Sequence, residues 1–202
     1  MQLEALRLLA ITDNLRDGIE GLSGRARACC RGGVTMIQLR LPDEDARTVA
    51  AAARALVASV RVPVVVHGRL DIAVATGAAG VHLGVHDVAV GDARRICGAD
   101  FLIGRSARTS EDLVRAGGAD YIALGPTFPT DQRRPGIALG FSQFERLART
   151  ASAPVVAVGG ISSTTAPDAI RAGARGVALI SGLFGSPDPE SAARAVRAAI
   201  GT

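Results

Sequence analysis

Two stretches in the last third of the chain constrain its fold more than any other: PVVAVGGIS over 154–162 and GVALISGLF over 176–184. Each opens as a run of small and β-branched apolar residues with no polar alternation. Such a run suits a parallel strand covered on both faces, because an antiparallel strand wetted on one side alternates. Each run ends in a glycine turn. Glycine permits φ > 0 and lets backbone N–H groups approach an anion, and the start of a following helix adds a favourable dipole. The same grammar recurs upstream, with strand patterns at 8–12, 35–39, 62–66, 80–83, 101–104 and 120–124. Helical segments are expected at 19–31, 43–60, 70–76, 90–97, 110–116, 142–150, 164–172 and 189–200. Their ends carry the usual signals: Gly32 and Gly33 close the first, Pro42 and Asp43 open the second, and Glu111 and Asp112 sit in the first turn of the fifth. Strict strand-helix alternation with short connections predicts an α/β protein, a single-domain (β/α)8 TIM barrel over 1–202, in preference to an open doubly wound sheet. In that barrel the turns after strands seven and eight form a phosphate cup. Gly159, Gly160, Ser181 and Gly182 are therefore expected to hold a small phosphorylated ligand. The plainer alternative is that these glycines only make tight turns.

Composition removes several chemistries. All 23 basic residues are arginine. A guanidinium cannot supply the deprotonatable amine that Schiff-base chemistry needs, so class I aldolase and pyridoxal-phosphate mechanisms are excluded. The formal charge of +4 comes from scattered arginines, with aromatics at only 3%, which argues against nucleic acid and fits an anionic small substrate or a solvated surface. Cys29, Cys30 and Cys97 are odd in number and lack metal-ligand spacing, so neither a disulfide framework nor a zinc site is expected, and the reading is a reducing cytoplasm. The chain begins MQLE, which does not read as a leader, and no run is long enough to span a membrane.

In a barrel of this kind the reacting groups come from strand C-termini. The polar residues there are Asp13, Gln38, Arg40, His67, Arg69, Asp87, Ser106, Arg108, Thr130 and Arg133. Gln38 and Arg40 leave one strand and can bind an anion together, with a rim salt bridge as the structural alternative. His82 lies inside strand four and reads as a satisfied interior histidine. Its spacing to His86 would chelate zinc on a helix, but strand rise puts the two roughly 13 Å apart. Asp87 is a candidate for Mg²⁺, which often takes one or two protein carboxylates plus substrate oxygens, and an equally good helix-start residue.

At these residues a resemblance becomes specific. ITD at 11–13, QLR at 38–40, GVHLG at 80–84 with Asp87, GPTFPT at 125–130, VGGI at 158–161 and ISG at 180–182 occur in the order seen in the thiamine phosphate synthase and TenI-type thiazole tautomerase superfamily. The resemblance implies the barrel, a thiazole phosphate as ligand and, at the family level, a homodimer. The synthase joins a pyrimidine methyl diphosphate to thiazole phosphate, whereas the tautomerase isomerises the thiazole carboxylate phosphate one step earlier. Departures from the synthase pattern decide the expected branch. Its Asn-Asp-Arg turn after strand three, whose aspartate would share Mg²⁺ with Asp87, is here His67-Gly68-Arg69. Its lysine after Gln-Leu-Arg has no counterpart at Leu41 and Pro42, and its Thr-Lys pair after strand six becomes Gln132 and Arg133. IGRS at 103–106, Thr130-Asp131 and SGLF at 181–184 resemble the TenI branch, although its histidine is replaced by Arg108. The expectation is thus a TenI-like tautomerase without a cofactor, with His67 moving the proton, Arg108 holding the carboxylate, and Gln38, Arg40, Ser106, Thr130 and Arg133 binding substrate. The alternatives are a synthase, using Mg²⁺ at Asp87, and a non-catalytic sensor or carrier of thiazole phosphate.

Overall fold

The computed structural model describes residues 3–129 and 138–201; Thr130 and Arg133 lie outside the described residues. Eight parallel strands are arranged in chain order: β1 (Leu8–Ile11), β2 (Met36–Leu39), β3 (Val64–His67), β4 (Gly80–Leu83), β5 (Leu102–Ala107), β6 (Tyr121–Leu124), β7 (Val155–Val158) and β8 (Gly176–Leu179). Each pairs with the next, and β8 pairs with β1, closing the barrel. The helices between them are α1 (Gly18–Arg31), α2 (Ala46–Ser59), α3 (Leu70–Ala75), α4 (Val90–Cys97), α5 (Ser110–Arg115), α6 (Gly140–Thr150) and α7 (Ala166–Arg171), and α8 (Pro189–Ala199) follows β8. The (β/α)8 expectation is met.

Unbroken apolar strands follow from two separate cores. Inward-facing Leu9, Met36, Val65, Leu102, Tyr121, Val156 and Ala178 fill the barrel, and Leu6, from a short 3₁₀ turn (Leu3–Leu6), closes its N-terminal end. Outward neighbours such as Leu8, Ile37, Val66, Ile103, Ile122 and Val177 pack under the helices. Burying one such Leu, Ile or Val contributes about 1.5–3 kcal/mol. That burial, and not helix propensity, holds α3, α5 and α7, which at six residues each are too short to persist alone.

Two boundaries differ from the sequence reading by three residues, and others by one or two. Helix α2 starts at Ala46 and not at 43, because Asp45 is extended and its carboxylate accepts the Thr48 N–H at 2.9 Å as a cap. Strand β5 runs on to Ala107, paired through Leu83↔Arg105 on one side and Ala107↔Leu124 on the other. No helix among the described residues is long and apolar enough to cross a membrane.

Candidate active site

The C-terminal ends of β7 and β8 make the cup. Gly159 and Gly160 follow β7 with φ of 90° and 67°, backbone that L side chains rarely adopt. Space demands glycine as well. A Cβ on Gly160 would lie 2.6 Å from the carbonyl oxygens of Phe128 and Pro129, and one on Gly159 2.7 Å from Pro126 Cβ. The loop after β6 is stitched onto this turn by the Thr127 and Phe128 N–H groups, which donate to the carbonyls of Val158 (2.8 Å) and Gly159 (3.0 Å). The N–H groups of Gly159, Gly160, Ser181 and Gly182 meet no backbone acceptor among the described residues. A cavity of about 180 Å³ is bounded by these four residues together with Ser106 and Arg108.

The helix dipole expected behind the turn after β8 is largely missing. After β8 the chain makes one turn, with Leu183 and Phe184 donating to the Ile180 carbonyl at 3.2 and 3.1 Å, and α8 begins only at Pro189. Pro187 accounts for the break, since it disfavours helical backbone at Ser186. At the turn after β8, any anion would therefore meet chiefly the peptide N–H groups of Ser181 and Gly182.

Beside the cup, a column of polar side chains crosses the barrel interior. Gln38 Nε2 donates to His67 Nδ1 at 3.1 Å. His67 and His82 are register partners on β3 and β4, and their rings stack at 5.6 Å between centroids. His82 Nδ1 lies 3.0 Å from the Tyr121 hydroxyl, and Nε2 lies 2.9 Å from Ser106 Oγ. Gly104 makes this possible: it is the register partner of both His82 and Tyr121, and any Cβ there would collide with the phenol. Burial first, then the charge that His67 would carry if protonated and the Arg105 guanidinium, push His82 down from 6.5 to about 3. Burial first, then the Arg40 cation, also lowers His67, against an opposing pull from Asp87.

On the far side of the mouth Asp87 accepts the Gly84 N–H at 2.7 Å. Gly68, at φ 68°, faces it closely enough that a Cβ would lie 3.3 Å from Asp87 Oδ2. Arg105, pointing outward from β5 and buried, donates to the Val88 carbonyl at 2.8 Å and the Val85 carbonyl at 3.2 Å, holding the loop that carries Asp87. Arg40 is half-buried on the β2 rim, where its backbone exchanges bonds with the Thr12 hydroxyl at 2.8 and 2.9 Å. Neither Arg40 nor Arg108 has a carboxylate partner among the described residues. His86 is exposed. No group of three or more metal-ligating His, Cys, Asp or Glu side chains occurs among the described residues. Sequence reasoning missed Tyr121 and Arg105. The alternation of β5 signals the second, since Arg105 and Ser106 must face opposite sides.

A family profile described as thiamine monophosphate synthase matches residues 8–183. The chain is similar to a thiamine-phosphate synthase of Roseiflexus sp. (strain RS-1), 41% identical over 94% of this chain and 83% of that protein. It is also similar to one of Methanoculleus marisnigri, 44% identical over 85% of this chain and 84% of that protein. Among solved structures it resembles the thiamine phosphate pyrophosphorylase from Pyrococcus furiosus, with a TM-score of 0.88 and 30% identity over 99% of this chain and 98% of that one. These relatives overturn the tautomerase expectation. It rested on single replacements at Pro42 and Gly68 and on short likenesses such as IGRS at 103–106, while proteins named as synthases match along nearly the whole chain. The proton-moving role given to His67 lapses with it, and the ring's Nδ1 is already engaged by Gln38. Matched from the first strand into the turn after the eighth, the chain belongs to the thiamine monophosphate synthase and TenI family.

Proposed function

We propose that this protein is a transferase of the thiamine-phosphate synthase type, joining a pyrimidine methyl diphosphate to a thiazole phosphate. The observation that carries the reading is the division of the mouth. The N–H groups of Gly159, Gly160, Ser181 and Gly182, without a backbone acceptor among the described residues, suit one phosphate, and Arg40 with Asp87 lies toward β2–β4, where a second anion can be held. In the reaction the C–O bond between the pyrimidine methylene and the diphosphate breaks, the leaving group takes that electron pair, and the thiazole nitrogen lone pair forms the new C–N bond. No proton has to move in this exchange, so a neutral site serves it. The cup anchors the thiazole phosphate and fixes its nitrogen. Ser106 borders the cup, and Gln38, with its amide N–H turned to His67, is left with a carbonyl oxygen to accept from an amino group on the pyrimidine. Arg40 and, from the sequence alone, Thr130 and Arg133 are the groups assigned to the diphosphate, and Arg108, which borders the cup, is assigned to the thiazole phosphate.

The reaction implies Mg²⁺, which when bound neutralises the departing diphosphate. Asp87 fits as its protein ligand: it is a hard oxygen donor at the mouth, with one carboxylate oxygen free of the Gly84 N–H. One or two carboxylates beside substrate phosphates are the usual protein share for this ion. With both substrates and Mg²⁺ supplied, thiamine phosphate and diphosphate should form in equal amounts. Tight binding of thiazole phosphate without any product would overturn the proposal in favour of a carrier.

A further inference from the structure

The Tyr121, His82 and Ser106 side chains form a chain of hydrogen bonds whose direction can be worked out. Tyr121 is fully buried, and among the described residues its hydroxyl has one partner, His82 Nδ1. If Nδ1 carried the proton it would donate to the phenol oxygen, leaving the phenol O–H buried with nothing to accept it. If instead the phenol donates, Nδ1 accepts and the ring proton sits on Nε2. The same burial that lowers His82 raises Tyr121, so the ring stays neutral and the phenol stays protonated. At its other end the ring meets Ser106 Oγ, whose residue borders the cavity beside Gly159, Gly160 and Ser181. With Nε2–H donating to Oγ, the serine proton cannot point back at the ring and must be directed elsewhere, with the cavity beside it. We propose that Tyr121 and His82 are positioning residues: the phenol fixes the Nε2–H tautomer of His82, which turns the Ser106 hydroxyl proton into the cavity and makes Ser106 a donor toward the substrate. The arrangement reverses the polarity of a serine nucleophile, whose histidine accepts the serine proton. It selects a ligand that offers an acceptor atom at Ser106, a phosphate oxygen or an unprotonated ring nitrogen, and penalises one that offers a donor.

This inference rests on the reading that the cavity receives the substrate, and one arm of its test is independent of that. Imidazole nitrogen NMR of histidine-labelled protein, with His82 assigned by loss of its signals in His82→Gln, should show Nδ1 unprotonated and Nε2 protonated near neutral pH; a proton on Nδ1 overturns the proposal. The second arm is a cycle of Tyr121→Phe and Ser106→Ala. Tyr121→Phe alone should lower kcat/KM about tenfold, the scale of one redirected hydrogen bond, and should have no further effect once Ser106 is alanine. Equal losses in both backgrounds would mean that Tyr121 acts only through packing. If the unmodified protein gives no turnover, the synthase reading has failed and the same cycle is read on calorimetric affinity for thiazole phosphate. The nitrogen spectrum reports the tautomer in either case.

Discussion

At Gly160 two demands fall on one residue. Positive φ costs a side chain about 1–2 kcal/mol, and the carbonyls of Phe128 and Pro129, 2.6 Å from where a methyl group would sit, leave it no room. Gly160→Ala is therefore expected to lower Tm by roughly 4–8 °C, taking about 2 kcal/mol on a domain of this size. It should also weaken thiazole phosphate binding, since the N–H groups of the turn must shift to relieve the clash. Thermal melting beside calorimetry checks both, and an unchanged Tm with unchanged affinity would remove the cup from the site. The glycines of this turn were legible in the sequence because glycine pairs after apolar strands have few other uses. Tyr121 was not, because its meaning depends on Gly104 standing opposite, a cross-strand relation carried by neither residue alone.

Among the elements, α5 has the most direct bearing on the site. Thr109 accepts the Asp112 N–H at 3.2 Å, and Asp112 Oδ2 in return accepts the Thr109 N–H at 3.2 Å and the Arg108 N–H at 2.9 Å. This capping box starts the helix and fixes the backbone from which Arg108 reaches the cavity. Thr109→Ala should cost about 1 kcal/mol in urea unfolding and should also raise KM for the thiazole phosphate more than it changes kcat. A stability loss with unchanged KM would separate Arg108 from the substrate. The acidic residues at 111 and 112 had marked this helix start, whereas the start of α2 was placed too early. Pro42 and Asp43 are good openers, and only the backbone at Asp45 shows which acid is the cap.

For the whole molecule, acid is the revealing condition. The folded protein holds His82 neutral down to about 3, while the unfolded chain takes up its proton near 6.5. Below 6.5 the unfolded state therefore binds more protons, and stability falls as pH drops toward 3, by up to about 1.4 kcal/mol per pH unit from this group. His67, also lowered, adds in the same direction. Urea unfolding from pH 7 to pH 4 should give a flatter profile for His82→Gln than for the unmodified protein, whatever the variant's stability at pH 7. Parallel profiles would show that this ring does not govern acid sensitivity. The barrel itself could be read from sequence because each strand and helix announces itself locally. The branch of the family could not, since single replacements at Pro42 and Gly68 stand out against a motif while the many positions that preserve the scaffold pass unnoticed.

The column through the barrel also bears on how such a chain can change over generations. Gly104 admits the Tyr121 ring, the phenol needs His82, and His82 faces Ser106 on one side and stacks on His67, with its Gln38 partner, on the other. Replacing Tyr121, His82 or Ser106 leaves a buried polar atom without its partner, and a side chain at Gly104 collides with the phenol, so these single steps are deleterious even when the fully altered set packs well. Neutral drift should be slow at these positions and should proceed by concerted exchange. The inner wall becomes an inherited block, whereas an exposed rim position such as Pro42 can change by itself.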